Sequence, residues 1–248
     1  METLEGKKAV VTGGSRGFGL GIVEALVARK ARVTVVARDA DSLGAVSKRL
    51  GVDVIRGDAA DPATGVLRDV RPSVLVLNAG VQPPMGPIHE LTWEDFSETW
   101  NTDVKVGFHW VQEAFRLPLP RGSRVLIGSS GAAVNGSPLS GGYAGAKRML
   151  WLMAHYASGM AKELDLDMRF QAIVPMQISG DTELGRKAAE TYARKQGISL
   201  EPFLSRFGAP LSPQRVGEHV VAILTDPRYA NGVAFALKGD TGITSLDG

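Results

Sequence analysis

The sequence predicts an α/β fold in which a doubly wound, mostly parallel sheet lies between two layers of helices. Short apolar runs rich in Val, Ile and Leu alternate along the 248 residues with segments of helical length. The apolar runs are nearly continuous, which is typical of strands buried on both faces. Strands that alternate with helices favour parallel pairing through right-handed crossovers.

The individual elements follow from this alternation. We expect strands in KKAVVTGG, ARVTVVAR, VDVIRGD, PSVLVLNAG, SRVLIGSS and MRFQAIVP, and a last strand at residues 233–238. We expect helices at residues 17–30, 41–50, 62–70, 94–116 and 142–164. In a sheet of this kind the functional residues lie just after the strands, at their carboxyl ends.

One segment breaks the alternation. Residues 179–213 contain a charged helical piece, ELGRKAAETYARKQG, followed by LSRFGAPLSP. An insertion of this size before the last helix and strand is more often a lid than a separate domain. We therefore expect residues 1–248 to form a single domain with a substrate lid at 179–213.

Composition excludes several functions. The formal net charge is only +2 and the basic residues are spread along the chain, so nucleic-acid binding is not expected. The four histidines, at positions 89, 109, 155 and 219, are far apart in sequence, and the chain has no cysteine. We therefore expect no metal site and no disulfide.

The expected location is the cytoplasm, because a chain without cysteine suits a reducing compartment. No apolar run approaches the roughly 20 residues that span a bilayer, so no membrane span is expected. The first strand-like run starts at Lys7, so a charged and then apolar leader before it is not expected.

A glycine-rich turn, TGGSRGFG, follows the first strand. Gly13, Gly17 and Gly19 allow a tight turn into the next helix and bring backbone N–H groups close to a phosphate pair. Glycine at such a junction also has purely steric explanations. Its position in the first strand–turn–helix unit nevertheless favours a dinucleotide site.

The end of the second strand predicts which dinucleotide binds. A carboxylate about 20 residues after the glycines would hold the ribose of NAD, whereas a cation accommodates the 2′-phosphate of NADP. Arg38 stands at that place, and Arg16 in the glycine turn can approach the same phosphate. The sequence therefore favours NADP(H) over NAD(H), with Asp39 as the alternative that would favour NAD.

A tyrosine and a lysine form the candidate acid/base pair. Tyr143 and Lys147 are four residues apart, so they share one face of a helix. A phenol beside an ammonium can exchange a proton with a carbonyl or alcohol oxygen during hydride transfer. The same spacing occurs on many exposed helices, but Ser130 follows a strand at the same edge of the sheet and could bond the substrate oxygen.

Three motifs in this order resemble the short-chain dehydrogenase/reductase family in its compact single-domain branch. They are TGGSRGFG at residues 12–19, NAG at 78–80, and Ser130 with YAGAK at 143–147. The resemblance runs over nearly the whole chain. It implies a Rossmann fold and an NAD(P)-binding domain, and it matches Arg16 and Arg38 to positions that are basic in NADP-preferring members.

The resemblance also implies roles for individual residues. Tyr143 is the acid/base, Lys147 holds the nicotinamide ribose and assists the tyrosine, and Ser130 positions the substrate. The positions matched to cofactor contacts are Thr12, Gly13, Ser15, Arg16, Gly17, Phe18, Gly19, Arg38, Asp58, Ala59, Asn78, Ala79, Gly80, Tyr143, Lys147, Pro175, Ile178 and Thr182.

Two positions depart from the family pattern. Asp103 stands where the family usually has an asparagine that holds a water linked to the lysine. Asn101 lies two residues earlier and points the other way unless the helix is distorted. Met176 replaces a usual glycine, so Ser179 or Thr182 is expected to contact the pyrophosphate.

The leading functional hypothesis is an NADP(H)-dependent oxidoreductase that interconverts a carbonyl compound and a secondary alcohol. The alternative is a catalytically silent NADP(H)-binding sensor or interaction protein, which Asp103 and Met176 favour. The candidate pocket walls are Ala132, Val134, Asn135 and Pro138, the loop VQPPMGPIHEL after NAG, and Met176 with the insertion. Small and apolar residues dominate and indicate an apolar substrate, although core packing explains such residues equally well. Apolar surface on the two long helices predicts a homotetramer or homodimer.

Overall fold

The computed structural model describes residues 3–61 and 64–247. Within them, eight strands form one sheet in the order β3-β2-β1-β4-β5-β6-β7-β8. The strands are β1 Lys8–Thr12, β2 Arg32–Ala37, β3 Asp53–Arg56, β4 Val74–Leu77, β5 Ser123–Gly128, β6 Met168–Pro175, β7 Ala234–Lys238 and β8 Gly242–Ser245. All neighbouring strands pair in parallel except β7 and β8, which are antiparallel. The predicted fold class is confirmed, and β8 is an addition that the sequence did not predict.

The helices connect the strands close to the predicted positions. They are α1 Gly17–Ala28, α2 Ala40–Leu50, α3 Thr64–Val70, α4 Trp93–Thr99, α5 Lys105–Arg116, α6 Ala132–Asn135, α7 Tyr143–Glu163, α8 Glu183–Lys195, α9 Leu200–Ser205 and α10 Pro213–Thr225. The prediction at 62–70 began at Pro62, which lies outside the described residues together with Ala63.

Two apolar cores lie on opposite faces of the sheet. Alternate residues of a strand point to opposite faces, so Val10 packs with the residues of α3, α5 and α7, while its neighbours Ala9 and Val11 pack with those of α1, α2 and α10. The central strands of the sheet are therefore buried on both faces, as their continuous apolar runs predicted, whereas the edge strand β3 is largely exposed.

Helices α1 and α10 cross at two glycines. A Cβ atom on Gly21 would lie 1.9 Å from the carbonyl oxygen of Pro213, and one on Gly217 would lie 2.2 Å from the carbonyl oxygen of Gly21. Real side chains do not tolerate such distances, so the two backbones meet only because both positions lack a side chain. The crossing holds α1, which begins in the glycine turn, against the sheet.

The helix predicted at 94–116 is not one regular α-helix. A π-helical turn, Trp100–Val104, lies between α4 and α5. Asp103 lies inside this turn and is only 1% exposed, whereas Asn101 is exposed and donates to Ser97 Oγ at 3.1 Å. The wider turn therefore brings Asp103, and not Asn101, into the interior.

The segment 179–213 carries two helices that pack on each other. Ala189 and Ala193 of α8 form a small apolar cluster with Phe203 of α9, and the Tyr192 and Phe203 rings stack with centroids 6.4 Å apart.

In the described part of the chain, no helix has both the length and the apolarity that crossing a membrane requires.

Candidate active site

A cavity of about 1100 Å³ lies at the carboxyl ends of the parallel strands. This is the edge at which open α/β sheets bind their ligands. Of the predicted site residues, the following line it: Gly13, Ser15, Arg16, Gly17, Phe18, Arg38, Asp58, Ala59, Asn78, Ala79, Gly80, Asp103, Ser130, Ala132, Tyr143, Lys147, Pro175, Met176, Ile178 and Thr182.

Three predicted site residues do not line the cavity. Thr12 lies behind it, where Oγ1 accepts hydrogen bonds from the N–H groups of Asn78 at 3.0 Å and Ala79 at 3.1 Å. Gly19 packs so closely on Gly13 that a Cβ atom would lie 2.1 Å from the Gly13 carbonyl oxygen. Val134 is 47% exposed on α6 and lies outside the lining. Thr12 and Gly19 thus support the glycine turn, whereas the position of Val134 does not support a role as a pocket wall.

The glycine turn is built against the N-A-G segment. Gly13 has φ = +66°, a conformation that favours glycine, and a Cβ atom there would lie 2.8 Å from Ala79 Cα. Asn78 Nδ2 donates to the Gly13 carbonyl oxygen at 3.4 Å. Arg16 is the N-cap residue of α1 and no side chain caps the helix. The turn therefore leaves first-turn N–H groups of α1 available to an anionic ligand, and it fits a diphosphate.

Arg38 and Asp39, which follow β2, both line the cavity. The Arg38 side chain is 61% exposed, and its Nη1 lies 3.9 Å from Asp58 Oδ2. Asp39 Oδ1 accepts a hydrogen bond from Ser42 N at 2.8 Å as the N-cap of α2. The bonds from Ser42 hold the pKa of Asp39 below its ordinary value. One oxygen of the Asp39 carboxylate is thus engaged in capping, while the guanidinium of Arg38 makes a long contact with Asp58.

Arg16 has a partner that the sequence did not predict. Its guanidinium forms an exposed ion pair with Glu183, the first residue of α8. The contact joins the glycine turn to the start of the segment 179–213.

The Tyr143 and Lys147 side chains lie one turn apart at the start of α7. Both are buried, and Lys147 Nζ lies 5.6 Å from the centre of the Tyr143 ring. The Lys147 Nζ also lies 3.5 Å from the Gly128 carbonyl oxygen at the end of β5. Ser130 follows that strand, and its Oγ accepts from Ala132 N at 3.2 Å. The structure therefore places all three side chains at one cavity, as the spacing predicted.

Asp103 completes this group. Its Oδ2 lies 3.0 Å from Lys147 Nζ, and its Oδ1 accepts from Val81 N at 2.9 Å. Burial of the ammonium lowers the pKa of Lys147, but its attraction to the Asp103 carboxylate and to Tyr143 outweighs burial, so the pKa lies above its ordinary value. Lys147 is therefore held as a cation that the neighbouring carboxylate largely neutralises.

The wall beyond β6 contains the second departure from the family pattern. Met176 lines the cavity, and its N–H donates to the Leu237 carbonyl oxygen at 3.0 Å. The Thr182 hydroxyl caps α8 by accepting from Gly185 N at 3.0 Å, and it donates to the Ser179 carbonyl oxygen at 3.3 Å. Both candidate phosphate contacts, Ser179 and Thr182, lie in the lining.

Tyr192 and Gln82 also line the cavity. They lie in the insertion and in the loop VQPPMGPIHEL, which the sequence predicted as pocket walls without singling out either residue. The Tyr192 hydroxyl of α8 accepts from Leu139 N at 3.2 Å and lies 2.9 Å from Ser137 Oγ, so it joins the insertion to the loop before α7. Tyr192 is the only aromatic residue of α8, a helix rich in charged residues, and this contrast could have identified it from the sequence. Gln82 lies in the loop after N-A-G, and no local pattern distinguishes it.

The fold and the position of the cavity define a Rossmann-type α/β protein. A sequence model of the short chain dehydrogenase family matches residues 7–193. The chain belongs to this family of oxidoreductases, which confirms the resemblance seen in the motifs.

Two relatives and one solved structure illustrate the similarity. The chain is 29% identical to the hydroxynaphthalene reductase arp2 of Aspergillus fumigatus, over 94% of this chain and 91% of that protein. It is 30% identical to the cis-1,2-dihydrobenzene-1,2-diol dehydrogenase of Pseudomonas putida, over 96% of this chain and 87% of that protein. It is also similar to the crystal structure of a blue fluorescent protein from a metagenomic library in complex with NADPH, with a TM-score of 0.75, 27% identity and coverage of 96% of this chain and 98% of that chain.

Proposed function

We propose that this protein is an NADP(H)-dependent oxidoreductase that interconverts a carbonyl compound and a secondary alcohol by hydride transfer. The observation that carries the proposal is the buried Tyr143 phenol, with Lys147 Nζ 5.6 Å from its ring, at the cavity that the glycine turn also lines. The relatives named above are a reductase and a dehydrogenase, and the similar solved structure holds NADPH.

Each of the three side chains has a chemical task. When bound, the nicotinamide ring supplies or accepts the hydride at the substrate carbon. In reduction, the Tyr143 hydroxyl gives a proton to the carbonyl oxygen, and in oxidation the phenolate takes it back from the alcohol. Ser130 donates a hydrogen bond to the same oxygen. Lys147 stabilises the phenolate by its charge and binds a hydroxyl of the nicotinamide ribose.

The cofactor is held along the ends of the strands. The glycine turn and the first turn of α1 bind the diphosphate, and Asp58 and Ala59 contact the adenine. Arg38, together with Arg16, binds the 2′-phosphate. Asp39 also lines the cavity, but its Oδ1 already accepts a hydrogen bond from Ser42 N, which leaves fewer acceptor positions for the ribose hydroxyls of NAD and favours NADP(H).

Residues 1–248 form one NAD(P)-binding domain in this proposal, and residues 179–213 form its lid. Two contacts support the lid. The Tyr192 hydroxyl bonds the loop before α7, and Glu183 pairs with Arg16 in the glycine turn. A segment anchored at both ends of the cavity is suited to exclude water around the reacting atoms.

The protein assembles as a homodimer or homotetramer in this proposal. Exposed apolar side chains include Phe108 on α5, Tyr156 and Met160 on α7, and Leu164 directly after α7. Their burial against a second copy would remove this surface from water.

A turnover screen tests the proposed reaction. Purified protein is assayed with a panel of aryl and alkyl ketones plus NADPH, and with the corresponding alcohols plus NADP⁺, by the absorbance of the reduced nicotinamide. We expect turnover of at least one pair in both directions. Tight NADPH binding without turnover of any compound would instead support a silent cofactor-binding protein.

A further inference from the structure

Gln82 is held in place at the cavity by its neighbours in sequence. The Val81 N–H donates to Asp103 Oδ1 at 2.9 Å, and Pro83 is buried. A proline also restricts the residue before it to extended backbone. Gln82 therefore lies between two constrained residues, and it lines the same cavity as Tyr143.

The amide of Gln82 has no hydrogen-bond partner among the residues that the structure describes. Its Oε1 and Nε2 are both buried, and neither makes a hydrogen bond to any residue in the ranges 3–61 and 64–247. Most buried polar atoms do have a partner, because leaving one unpaired is costly. Another glutamine of the cavity wall illustrates the difference: Gln177 Nε2 donates to the Ala209 carbonyl oxygen at 3.0 Å, and its Oε1 accepts from Gly239 N at 2.7 Å.

The hydrogen-bond donors and the acceptor of the amide indicate which kind of ligand group it can bind. A primary amide offers one carbonyl acceptor and two N–H donors side by side. A hydroxyl group satisfies both sides, because it can donate to Oε1 and accept from Nε2. A carboxylate would only accept, and Asp103 already neutralises the Lys147 cation that would otherwise attract it. An apolar ring would leave both amide atoms unpaired.

We propose that Gln82 binds a hydroxyl group of the substrate, separate from the oxygen that reacts at Tyr143. The substrate class is then a ketone with an apolar body and an additional hydroxyl group, or the corresponding diol. This inference rests on the proposed oxidoreductase function. It adds one hydroxyl group to the apolar substrate that the sequence indicated.

The test compares 1-tetralone with a set of ring-hydroxylated 1-tetralones that are isomers of one another. Wild-type protein and the Gln82→Met variant are assayed with each ketone and NADPH. We expect the wild type to prefer at least one hydroxylated isomer by about tenfold in kcat/KM, and Gln82→Met to abolish that preference. Gln214→Met makes the same chemical change at an exposed position of α10 that does not line the cavity, and it should keep the wild-type preference. A wild type with no preferred isomer, or a preference that survives in Gln82→Met, overturns the inference.

A binding measurement separates this inference from the proposed reaction. Calorimetry with NADP⁺-loaded protein gives the affinity for the same ketones without turnover. If the protein shows no turnover but binds a hydroxylated ketone more tightly, and Gln82→Met abolishes this binding preference, the Gln82 contact is supported and the proposed reaction is refuted. Turnover with equal effects of Gln82→Met on all isomers refutes the Gln82 contact and leaves the reaction in place.

Discussion

Asp103 and Lys147 form a buried ion pair, with Oδ2 of the carboxylate 3.0 Å from Nζ of the ammonium. The ammonium also lies against the Tyr143 ring. A phenolate at Tyr143 would therefore meet a lysine whose charge is already largely balanced. A neutral amide at position 103 would leave the charge of the lysine uncompensated.

The first prediction concerns the pH dependence of Asp103→Asn. The carboxylate raises the pKa of Lys147, so its removal lowers that pKa toward the value that burial favours. While Lys147 remains charged, its positive charge is no longer balanced by a carboxylate and therefore stabilises the Tyr143 phenolate more strongly. We expect the acid limb of kcat/KM for alcohol oxidation to move to lower pH by about one unit, which corresponds to about 1.4 kcal/mol.

The asparagine can still accept from Val81 N, so the substitution should preserve the loop. Asp181→Asn removes an exposed carboxylate from the same cavity and is the matched control. A profile that stays at the wild-type position in Asp103→Asn would show that the pair does not set the protonation of the tyrosine.

The second prediction concerns cofactor choice. Arg38→Asp removes a cation from the proposed 2′-phosphate site and adds a charge that repels phosphate. We expect NADPH affinity to fall by about ten- to a hundredfold and NADH affinity to rise. Fluorescence titration with both reduced cofactors measures this. Arg32→Asp, at the other end of β2, should leave both affinities unchanged. Tighter binding of NADH than NADPH by the wild type would contradict the proposed cofactor.

The third prediction concerns the lid. Tyr192→Phe removes the hydroxyl that bonds Leu139 N and Ser137 Oγ while preserving the stack on Phe203. We expect KM for the ketone to rise by about tenfold, with little change in NADPH affinity. The exposed tyrosine on α7 provides the control, Tyr156→Phe. An unchanged KM in Tyr192→Phe would argue against closure of the cavity by α8.

The fourth prediction concerns the crossing of α1 and α10. A methyl group on Gly21 would meet the Pro213 carbonyl oxygen at 1.9 Å. We expect Gly21→Ala to lower the free energy of unfolding by at least about 1–3 kcal/mol, measured by urea denaturation. Gly44→Ala, in the open interior of α2, should raise it by about 0.5–1 kcal/mol. Equal stabilities of the two variants would disprove a tight crossing.

Local sequence patterns predicted most of the fold. The central parallel strands are continuous apolar runs, so the sequence predicted their burial on both faces and their positions along the chain. The run VDVIRGD also predicted a strand, but β3 lies at the edge of the sheet and is largely exposed. Strand β8 was not predicted, because Gly242, Thr244 and Ser245 give no apolar run and the strand depends on pairing with β7. The π-helical turn was also not predicted, because the inward position of Asp103 depends on its contacts with Val81 and Lys147.

The residues of the candidate site also differ in whether local sequence or tertiary contacts determine their positions. Tyr143 and Lys147 lie on one helix turn, so their spacing alone predicted their proximity, and Ser130 followed from the shared edge of the sheet. Gln82 and Tyr192 reach the cavity through a loop and an insertion, whose placement depends on tertiary contacts distant in sequence. The ion pair between Arg16 and Glu183 also joins distant segments, and no spacing rule could have predicted it.

The most direct test of the proposed function is the turnover of Tyr143→Phe. The substitution keeps the aromatic ring beside Lys147 and removes only the hydroxyl that exchanges the proton. We expect kcat for ketone reduction to fall by about 10²- to 10⁴-fold, while fluorescence titration gives a nearly unchanged Kd for NADPH. Turnover at the wild-type rate in Tyr143→Phe, with NADPH still bound, would contradict the assignment of Tyr143 as the acid/base.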